Sequence, residues 1–253
     1  MGNKPTPKVR LDSLLVERGA APTRERARAL IMSGAVIVGE NRIDKAGVLV
    51  ARDAVIRIKG EDNPYVSRGG LKLRGALREF DITVRGLVAL DVGASTGGFT
   101  DCLLQEGAEK VYAVDVGYGQ LAWKLRKDAR VRNIERTNIR YFDGAGIEDK
   151  IDIATIDASF ISLKLVLPAV IRLLENKARL LALIKPQFEV GRENVGKHGV
   201  VRDPLLHRQV VEETSVFCRE SGLTVLGVCE SSLTGSAGNK EFFIYAKISG
   251  ESV

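Results

Sequence analysis

The feature that most constrains the fold is a regular alternation of strand and helix patterns through most of the chain. Seven short apolar runs are separated mostly by helical patterns, an order typical of a parallel sheet with helices on both faces. The runs read GLVALDV, KVYAVDV, RNIERTN, IDIATID, RLLALIK, LTVLGVCE and EFFIYAKI. Because only SSLTGSAGNK joins the last two, too little for a helical crossover, the final strand is predicted to be antiparallel. The sequence thus predicts an α/β fold with a seven-stranded, mostly parallel sheet.

The first sixty residues differ from the rest in charge and pattern. They contain 12 Lys and Arg against 6 Asp and Glu, whereas the remaining residues contain 26 of each. Their apolar spacing predicts two short helices, the second capped by Thr23, followed by a small hairpin with a turn at ENR. The second helix carries Arg24, Arg26 and Arg28 on its polar side. This asymmetry favours a nucleic-acid-binding segment, and a merely solubilising basic face is the alternative.

Three stretches of this segment resemble the S4 RNA-binding domain. They are RLDSLL, TRERARALIMSGAVIVGE and the DK pair at Asp44 and Lys45. The resemblance implies a small α+β domain that binds RNA. The predicted domain boundaries are residues 1–60 for the S4 domain, 61–70 for a Gly- and Pro-rich linker and 71–253 for the sheet domain.

Composition removes several other classes of function. No apolar run approaches the roughly 18 residues that a spanning helix requires, and the N-terminal MGNKPTPKVR is polar. The three cysteines lie far apart and the chain has two histidines, so neither a disulfide framework nor a metal site is predicted. We expect a cytoplasmic protein with no metal and no membrane partner. The sequence leaves its oligomeric state open.

A glycine-rich loop follows the first strand of the sheet, within LDVGASTGGFTDCLL. A P-loop needs a Lys after its last glycine, which this loop lacks, and a dinucleotide fingerprint needs a glycine where Ser95 stands. S-adenosylmethionine carries no phosphate, and acidic Asp91 beside the loop suits its cationic sulfonium. Asp115, which ends the second strand, can accept ribose hydroxyls from either cofactor. The loop therefore favours a methyltransferase and leaves an NAD-linked oxidoreductase as the alternative.

Four charged residues are predicted to meet at the carboxyl edge of the sheet. Asp157 and Lys185 end the fourth and fifth strands, and Glu241 begins the antiparallel strand that returns to this edge. Lys72, just before the first strand, can fold over the edge from the side. A lysine whose pKa is lowered by burial and by a second ammonium can take the proton of a hydroxyl attacking a methyl sulfonium. A pair of surface salt bridges is the structural alternative.

Five motifs of the sheet domain, with the S4-like segment, resemble the TlyA family. The motifs are SRGGLKL, LDVGASTGGFTDCLL, DASFISL, LIKPQFEVG and GNKEFF. In that family an S4 domain precedes an FtsJ-like methyltransferase domain of Rossmann-like fold, and members are often named haemolysins. The resemblance implies S-adenosylmethionine-dependent 2'-O-methylation of cytidine ribose in ribosomal RNA, free or in ribosomal subunits. It places the catalytic set on Lys72, Asp157, Lys185 and Glu241, with Lys185 as the general base.

The expected binding residues extend this set. The cofactor residues are Asp91, Gly93, Ser95, Thr96, Gly97, Gly98, Phe99, Asp115 and Asn138. The expected RNA contacts are Arg10, Arg24, Arg26, Arg28 and Arg68. Residues 186–207 form a long connection that is predicted to cover the substrate or to be a plain solvated loop. A catalytically inactive RNA-binding protein, or one with haemolysin-like activity, remains a further alternative.

Overall fold

The computed structural model describes residues 7–58, 63–235 and 237–249. Contacts divide the chain into two compact units, an N-terminal unit within residues 1–62 and a C-terminal unit within residues 63–253. Each unit has its own buried apolar core, as expected of separately packed domains. Two residues at the start of the predicted linker, 61 and 62, lie outside the described residues.

The N-terminal unit is a small α+β fold. Its elements are β1 (Lys8–Arg10), α1 (Leu11–Glu17), α2 (Arg24–Met32), β2 (Val36–Val38), β3 (Asn41–Ile43), β4 (Leu49–Ala51) and β5 (Ile56–Ile58). Leu11, Leu14 and Leu15 of α1 are buried in one core with Ala27 and Ile31 of α2. The apolar stripes of the two short helices therefore pack together, which is what their spacing predicts.

The cap of α2 agrees with the prediction, while the strands differ from it in part. The Thr23 hydroxyl accepts a hydrogen bond from the Arg26 amide at 3.2 Å. Strand β2 pairs antiparallel with both β3 and β5, and β1 pairs with β4. The turn lies at Gly39 and Glu40 instead of at ENR, because Gly39 adopts a φ of +61° that suits glycine. Strands β1 and β4 are not among the elements that the sequence predicts.

The C-terminal unit contains the seven-stranded sheet. Its elements are α3 (Gly69–Glu79), β6 (Val88–Val92), α4 (Gly98–Gln105), β7 (Lys110–Val114), α5 (Trp123–Arg126), β8 (Val131–Ile134), β9 (Ile153–Ile156), α6 (Leu163–Ile171), β10 (Arg179–Ile184), α7 (Pro186–Glu189), α8 (Pro204–Glu220), β11 (Leu223–Glu230) and β12 (Phe242–Ile248). The strand order is β11-β12-β10-β9-β6-β7-β8. Strand β12 is antiparallel to both neighbours, whereas β6 to β10 pair in parallel, which confirms the predicted topology.

Helices cover both faces of this sheet. Within β6, Ala89 packs into one apolar core, with Leu103 of α4, and the next residue, Leu90, packs into the other, with Val166 of α6. Successive side chains of a strand point to opposite faces, so both faces of β6 are buried. The carboxyl ends of the parallel strands are left open for a site.

Residues 63–70, which the sequence analysis assigns to a linker, pack as part of the C-terminal unit. The Tyr65 side chain is buried, and the Val66 amide donates a hydrogen bond to Asp101 Oδ2 at 2.8 Å. A Cβ on Gly70 would lie 2.3 Å from Tyr65 Cγ. The glycines of this stretch therefore allow close packing around α3, which a linker would not require.

Candidate active site

Two adjoining cavities open at the carboxyl ends of the parallel strands. The charged cavity, of about 430 Å³, is lined by the side chains of Lys72, Asp157, Lys185 and Glu241 among others. The apolar cavity, of about 450 Å³, is lined by Val114, Asp115, Asn138, Ile139 and Val166 among others. Both lie within the size range of small-molecule sites. They share Gly93, Ser95, Asp157, Ser159 and Phe160, so one extended ligand can reach both.

The loop between β6 and α4 brings bare main chain to these cavities. Gly93 has a φ of +83°, and a Cβ there would lie 2.6 Å from the Asp157 carbonyl oxygen. A Cβ on Gly98, the first residue of α4, would lie 2.2 Å from Ser67 Oγ. Glycine is therefore required at position 93, and a side chain at position 98 would displace Ser67, so the loop forms a cradle with little side-chain bulk.

Seven of the nine predicted cofactor residues line the two cavities. They are Gly93, Ser95, Thr96, Gly98 and Phe99 in the charged cavity, and Asp115 and Asn138 in the apolar cavity. Phe99 is otherwise buried and its ring is stacked on Phe243, with centroids 6.0 Å apart. Its contribution to the cavity wall is therefore rigid.

The other two predicted cofactor residues, Asp91 and Gly97, are buried and line neither cavity, which argues against direct contact by the Asp91 carboxylate. Asp91 is fully buried and accepts hydrogen bonds from Thr100 Oγ1 at 2.6 Å and Thr155 Oγ1 at 3.2 Å. Burial raises its pKa to about 7. A Cβ on Gly97 would lie 2.3 Å from Leu125 Cδ1, so this glycine permits packing against α5.

Asp115 ties two loops of the site together. Its Oδ2 accepts a hydrogen bond from the Ser95 amide and its Oδ1 accepts one from the Gly117 amide, both at 2.7 Å. Ser95 has a φ of +49°, an uncommon conformation for a residue with a side chain, which these contacts help to hold. Asn138 also has a local role, since its Oδ1 accepts a hydrogen bond from the Arg140 amide at 3.1 Å.

The four predicted catalytic side chains meet in the charged cavity as two ion pairs. Lys72 Nζ donates to Glu241 Oε2 at 2.6 Å, and Lys185 Nζ lies 2.5 Å from Asp157 Oδ1. Lys72, Lys185 and Glu241 are each less than a tenth exposed. Surface salt bridges, the structural alternative, would be mostly solvated, so the burial of these pairs argues for a site.

A further residue holds the Lys185 amine. Lys185 Nζ donates a hydrogen bond to Ser159 Oγ at 2.7 Å, and Ser159 lines both cavities. Ser159 follows Asp157 by two residues in DASF, and sequence reasoning missed it. The signal available was a hydroxyl in the loop that follows a strand carrying a site residue.

The long connection from 186 to 207 contributes to the charged cavity at its start. Gln187 and Phe188 of α7 line the cavity. Farther along, the Val201 amide donates to Asn239 Oδ1 at 2.9 Å, and Asn239 Nδ2 donates to the Gly199 carbonyl at 2.8 Å. Asn239 is 2 % exposed and lies two residues before Glu241, so it fastens this connection beside the site.

The predicted RNA contacts lie in both units. Arg10, Arg24 and Arg28 form ion pairs with Asp12 in the N-terminal unit. In the C-terminal unit, Arg68 lines the charged cavity and donates to the Thr234 carbonyl at 3.2 Å. The fifth arginine, Arg26, supplies the amide that Thr23 caps.

Two family models match the chain. The model for the S4 domain matches residues 9–56, and the model for FtsJ-like methyltransferases matches residues 65–248. A Mycobacterium tuberculosis protein named 16S/23S rRNA (cytidine-2'-O)-methyltransferase TlyA is 44% identical, over 95% of this chain and 90% of that protein. The chain belongs to the TlyA family.

Other members of the TlyA family are also similar. A Bacillus subtilis protein named as a candidate rRNA methyltransferase, YqxC, is 52% identical over 96% of this chain and 87% of its own length. A solved structure of a candidate hemolysin from Streptococcus thermophilus superimposes with a TM-score of 0.76 at 44% identity, covering 98% of this chain and 90% of that chain. The Rossmann-like methyltransferase fold and the preceding S4 domain, both predicted from the sequence, are therefore confirmed.

Two negative findings accompany the TlyA family assignment. In the part of the chain that the structure describes, no helix has both the length and the apolar character needed to cross a bilayer. Among residues 7–58, 63–235 and 237–249, His, Cys, Asp and Glu side chains do not gather in groups of three that could hold a metal ion.

Proposed function

We propose that this protein transfers the methyl group of S-adenosylmethionine to the 2'-hydroxyl of a cytidine ribose in ribosomal RNA. The observation that carries the proposal is the convergence of Lys72, Asp157, Lys185 and Glu241 in one cavity beside the glycine cradle. Membership of the TlyA family supports the reaction class. The substrate follows from the name of the Mycobacterium tuberculosis relative, an rRNA (cytidine-2'-O)-methyltransferase.

The residues present fit S-adenosylmethionine. The apolar cavity offers the Asp115 carboxylate to ribose hydroxyls and the apolar side chains of Val114 and Ile139 to an adenine ring. The cradle at Gly93 and Gly98 has no side chains, so the methionine moiety can lie close to the main chain there. When bound, S-adenosylmethionine supplies an electrophilic methyl group on a sulfonium.

The charged cavity supplies the groups that activate a hydroxyl. With its amine in the neutral form, Lys185 Nζ would accept the proton of the 2'-hydroxyl as that oxygen bonds to the methyl carbon and the methyl–sulfur bond breaks, which leaves a neutral thioether. Asp157 and Ser159 hold that nitrogen at the cavity, and a positioned base contributes roughly 10²- to 10⁴-fold to a rate. Glu241 holds the Lys72 ammonium in the same cavity, where its positive charge stabilises negative charge on the attacking oxygen.

The N-terminal unit is proposed to bind the RNA. Its S4 domain carries the excess positive charge of the chain, and Arg10, Arg24 and Arg28 lie close together in it. Backbone phosphates supply most of the affinity of a protein for RNA through such cations. A ribosomal substrate supports a cytoplasmic location for the reaction.

Two alternatives raised by the sequence lose support. An NAD-linked oxidoreductase would require a pyrophosphate beside a loop without the second glycine, and the family is one of methyltransferases. An inactive RNA-binding protein would have no need for two buried ion pairs around a ligand-sized cavity. A melting temperature that rises with S-adenosylmethionine, and not with NAD, would separate the two cofactors.

Replacement of Lys185 tests the proposal directly. We expect Lys185→Ala to lower methyl transfer from labelled S-adenosylmethionine to ribosomal RNA by at least about 100-fold, because the base is removed. Lys185→Arg keeps the positive charge but cannot lose its proton, so it should be similarly inactive. Both variants should still bind S-adenosylmethionine, which calorimetry measures.

The matched control is Lys150→Ala. Lys150 lies in the same unit, and its side chain is 82% exposed in a pair with Glu175, so transfer should be unchanged. Undiminished transfer by Lys185→Ala would remove Lys185 from the mechanism. Full activity of Lys185→Arg would show that the residue acts by its charge and is not the base.

A further inference from the structure

Three arginines of the N-terminal unit converge on one buried carboxylate. Asp12 is fully buried, and its oxygens accept hydrogen bonds from Arg10 Nε at 3.0 Å and Arg10 Nη2 at 2.9 Å. They also accept bonds from Arg24 Nη2 at 3.3 Å and Arg28 Nε at 3.2 Å. Asp12 itself is absent from the expected RNA contacts, since a carboxylate repels phosphate.

The four residues come from three different elements. Arg10 ends β1, Asp12 lies in the first turn of α1, and Arg24 and Arg28 lie one turn apart on α2. Their guanidinium groups therefore reach Asp12 from separate directions. Without Asp12, the three arginine side chains would be flexible and independent of one another. The single carboxylate fixes the relative positions of their guanidinium groups.

The arginines remain open to solvent although Asp12 is not. Their side chains are 46%, 52% and 51% exposed for Arg10, Arg24 and Arg28. Each guanidinium has five N–H donors, and the bonds to Asp12 use at most two of them on any one arginine. Three cations around one anion also leave two positive charges in excess.

Asp12 stays ionised under all ordinary conditions. Hydrogen bonding by Arg10, with further bonds from Arg28 and Arg24, holds the pKa of this carboxyl well below its usual range. The carboxylate therefore carries its charge at neutral pH. Guanidinium groups held in a fixed fork are suited to the oxygens of phosphate esters, and ordering them in advance lowers the entropic cost of binding.

We propose that Asp12 is a positioning residue for RNA: it orders Arg10, Arg24 and Arg28 into a preformed site for phosphates of the RNA backbone. The inference rests on the proposed function, in which the N-terminal unit binds ribosomal RNA. It assigns a role to a buried acid that never touches the ligand.

A positioning role for Asp12 and a simple effect of net charge predict opposite changes in RNA affinity when the Asp12 charge is removed. Removing a negative charge from a basic surface strengthens RNA binding if only net charge matters. If Asp12 orders the arginines, its removal weakens binding in spite of the added positive charge. The sign of the change thus separates the two accounts.

The experiment measures filter binding of radiolabelled 16S and 23S ribosomal RNA transcripts to the full chain over a range of salt concentrations. We expect Asp12→Asn to weaken binding about tenfold and to make the slope of log K against log salt shallower by about one, because fewer phosphates are neutralised. Glu25→Gln is the matched control. Glu25 is exposed on the same helix as Arg24 and Arg28, and its replacement makes the same charge change. It should leave binding equal or slightly tighter.

A second variant keeps the test valid if Asp12→Asn fails to give a cooperative melting transition. Arg24→Lys conserves the charge of a half-exposed side chain, so it folds, but it removes the planar fork that Asp12 orders. We expect it to weaken RNA binding about threefold to tenfold. Binding equal to that of the wild type would contradict the proposal.

The outcomes also distinguish this inference from the proposed function. If Asp12→Asn is folded and binds RNA as tightly as Glu25→Gln, the inference fails while methyl transfer by the wild type still stands. If the wild-type chain binds neither transcript, the inference fails, whereas the proposed function is judged by methyl transfer to ribosomal subunits. Weakened binding by Asp12→Asn, with S-adenosylmethionine binding intact, supports the positioning role.

Discussion

At the scale of single residues, Ser159 shows how the site controls the Lys185 amine. The Asp157 carboxylate places a negative charge beside that amine, and Ser159 Oγ accepts a hydrogen bond from Lys185 Nζ at 2.7 Å. Ser159 is exposed, whereas Lys185 is buried. The hydrogen bond between them therefore holds the buried amine from the open side of the cavity. Its contribution is orientation, and orientation of a base within hydrogen-bond reach is a condition of its action.

We therefore expect Ser159→Ala to lower kcat for methyl transfer about tenfold, which corresponds to the loss of one hydrogen bond to a charged group. Ser159→Thr retains the hydroxyl and should recover most of the activity. Steady-state kinetics on both variants provide the check, together with the pH dependence of kcat. Equal rates for Ser159→Ala and the wild type would show that Asp157 alone positions the amine.

Asp91 gives a prediction of pH-dependent stability. Burial raises its folded-state pKa from the ordinary 3.8 to about 7, so folding favours the protonated form. Stability from this group is present at low pH and is lost as the pH rises from about 4 to about 7. The melting temperature of the wild type should therefore fall relative to that of Asp91→Asn between pH 5 and pH 7.5. Parallel melting curves across this range would contradict the raised pKa.

At the scale of elements, the loop between β6 and α4 is shaped by contacts that forbid side chains. An alanine at Gly93 would be strained at a φ of +83°, and its Cβ would press on the Asp157 carbonyl at 2.6 Å. Both the cradle and the strand end that carries Asp157 would have to move. The glycine cradle and the strand end that carries Asp157 are thus in direct contact through their main chains.

Gly93→Ala should weaken S-adenosylmethionine binding at least tenfold and lower the free energy of unfolding by about 1–2 kcal/mol or more. Gly86→Ala is the control, because Gly86 has a φ of +73° but no atom within 4 Å of the added Cβ. It should share the backbone strain and bind S-adenosylmethionine normally. Calorimetric titration of both variants decides, and unchanged binding by Gly93→Ala would remove the cradle from the account.

Element patterns also explain which parts of the structure were predictable. The apolar runs predicted the seven-stranded sheet and its antiparallel strand. The positions of Asp157, Lys185 and Glu241 at strand ends predicted that these residues lie together. The orientation of Asp91 was not deduced, although period two places it on the same face as Ala89, beneath α4. The packing of Leu125 against Gly97 was not deduced either, because a glycine in a loop permits either a ligand or a side chain to approach. Asn239 acts through tertiary contacts that leave no local pattern, whereas Ser159 could have been found as a hydroxyl in the loop after the strand that precedes Asp157.

At the scale of the whole molecule, the chain joins a basic S4 domain to a methyltransferase domain whose charged cavity adjoins a cofactor-sized apolar cavity. Each domain answers a different requirement of the proposed reaction. In the proposed account, the first would bind a polyanion through arginines ordered around Asp12, and the second would activate one hydroxyl through Lys185.

Nucleoside analysis of methylated ribosomal RNA tests the central claim most directly. The full chain is incubated with ribosomal RNA or ribosomal subunits and labelled S-adenosylmethionine, and the RNA is then digested to nucleosides and separated. The account predicts label in 2'-O-methylcytidine with the wild type and none above background with Lys185→Ala. Label in a base-methylated nucleoside, or equal label in 2'-O-methylcytidine from both proteins, would contradict it.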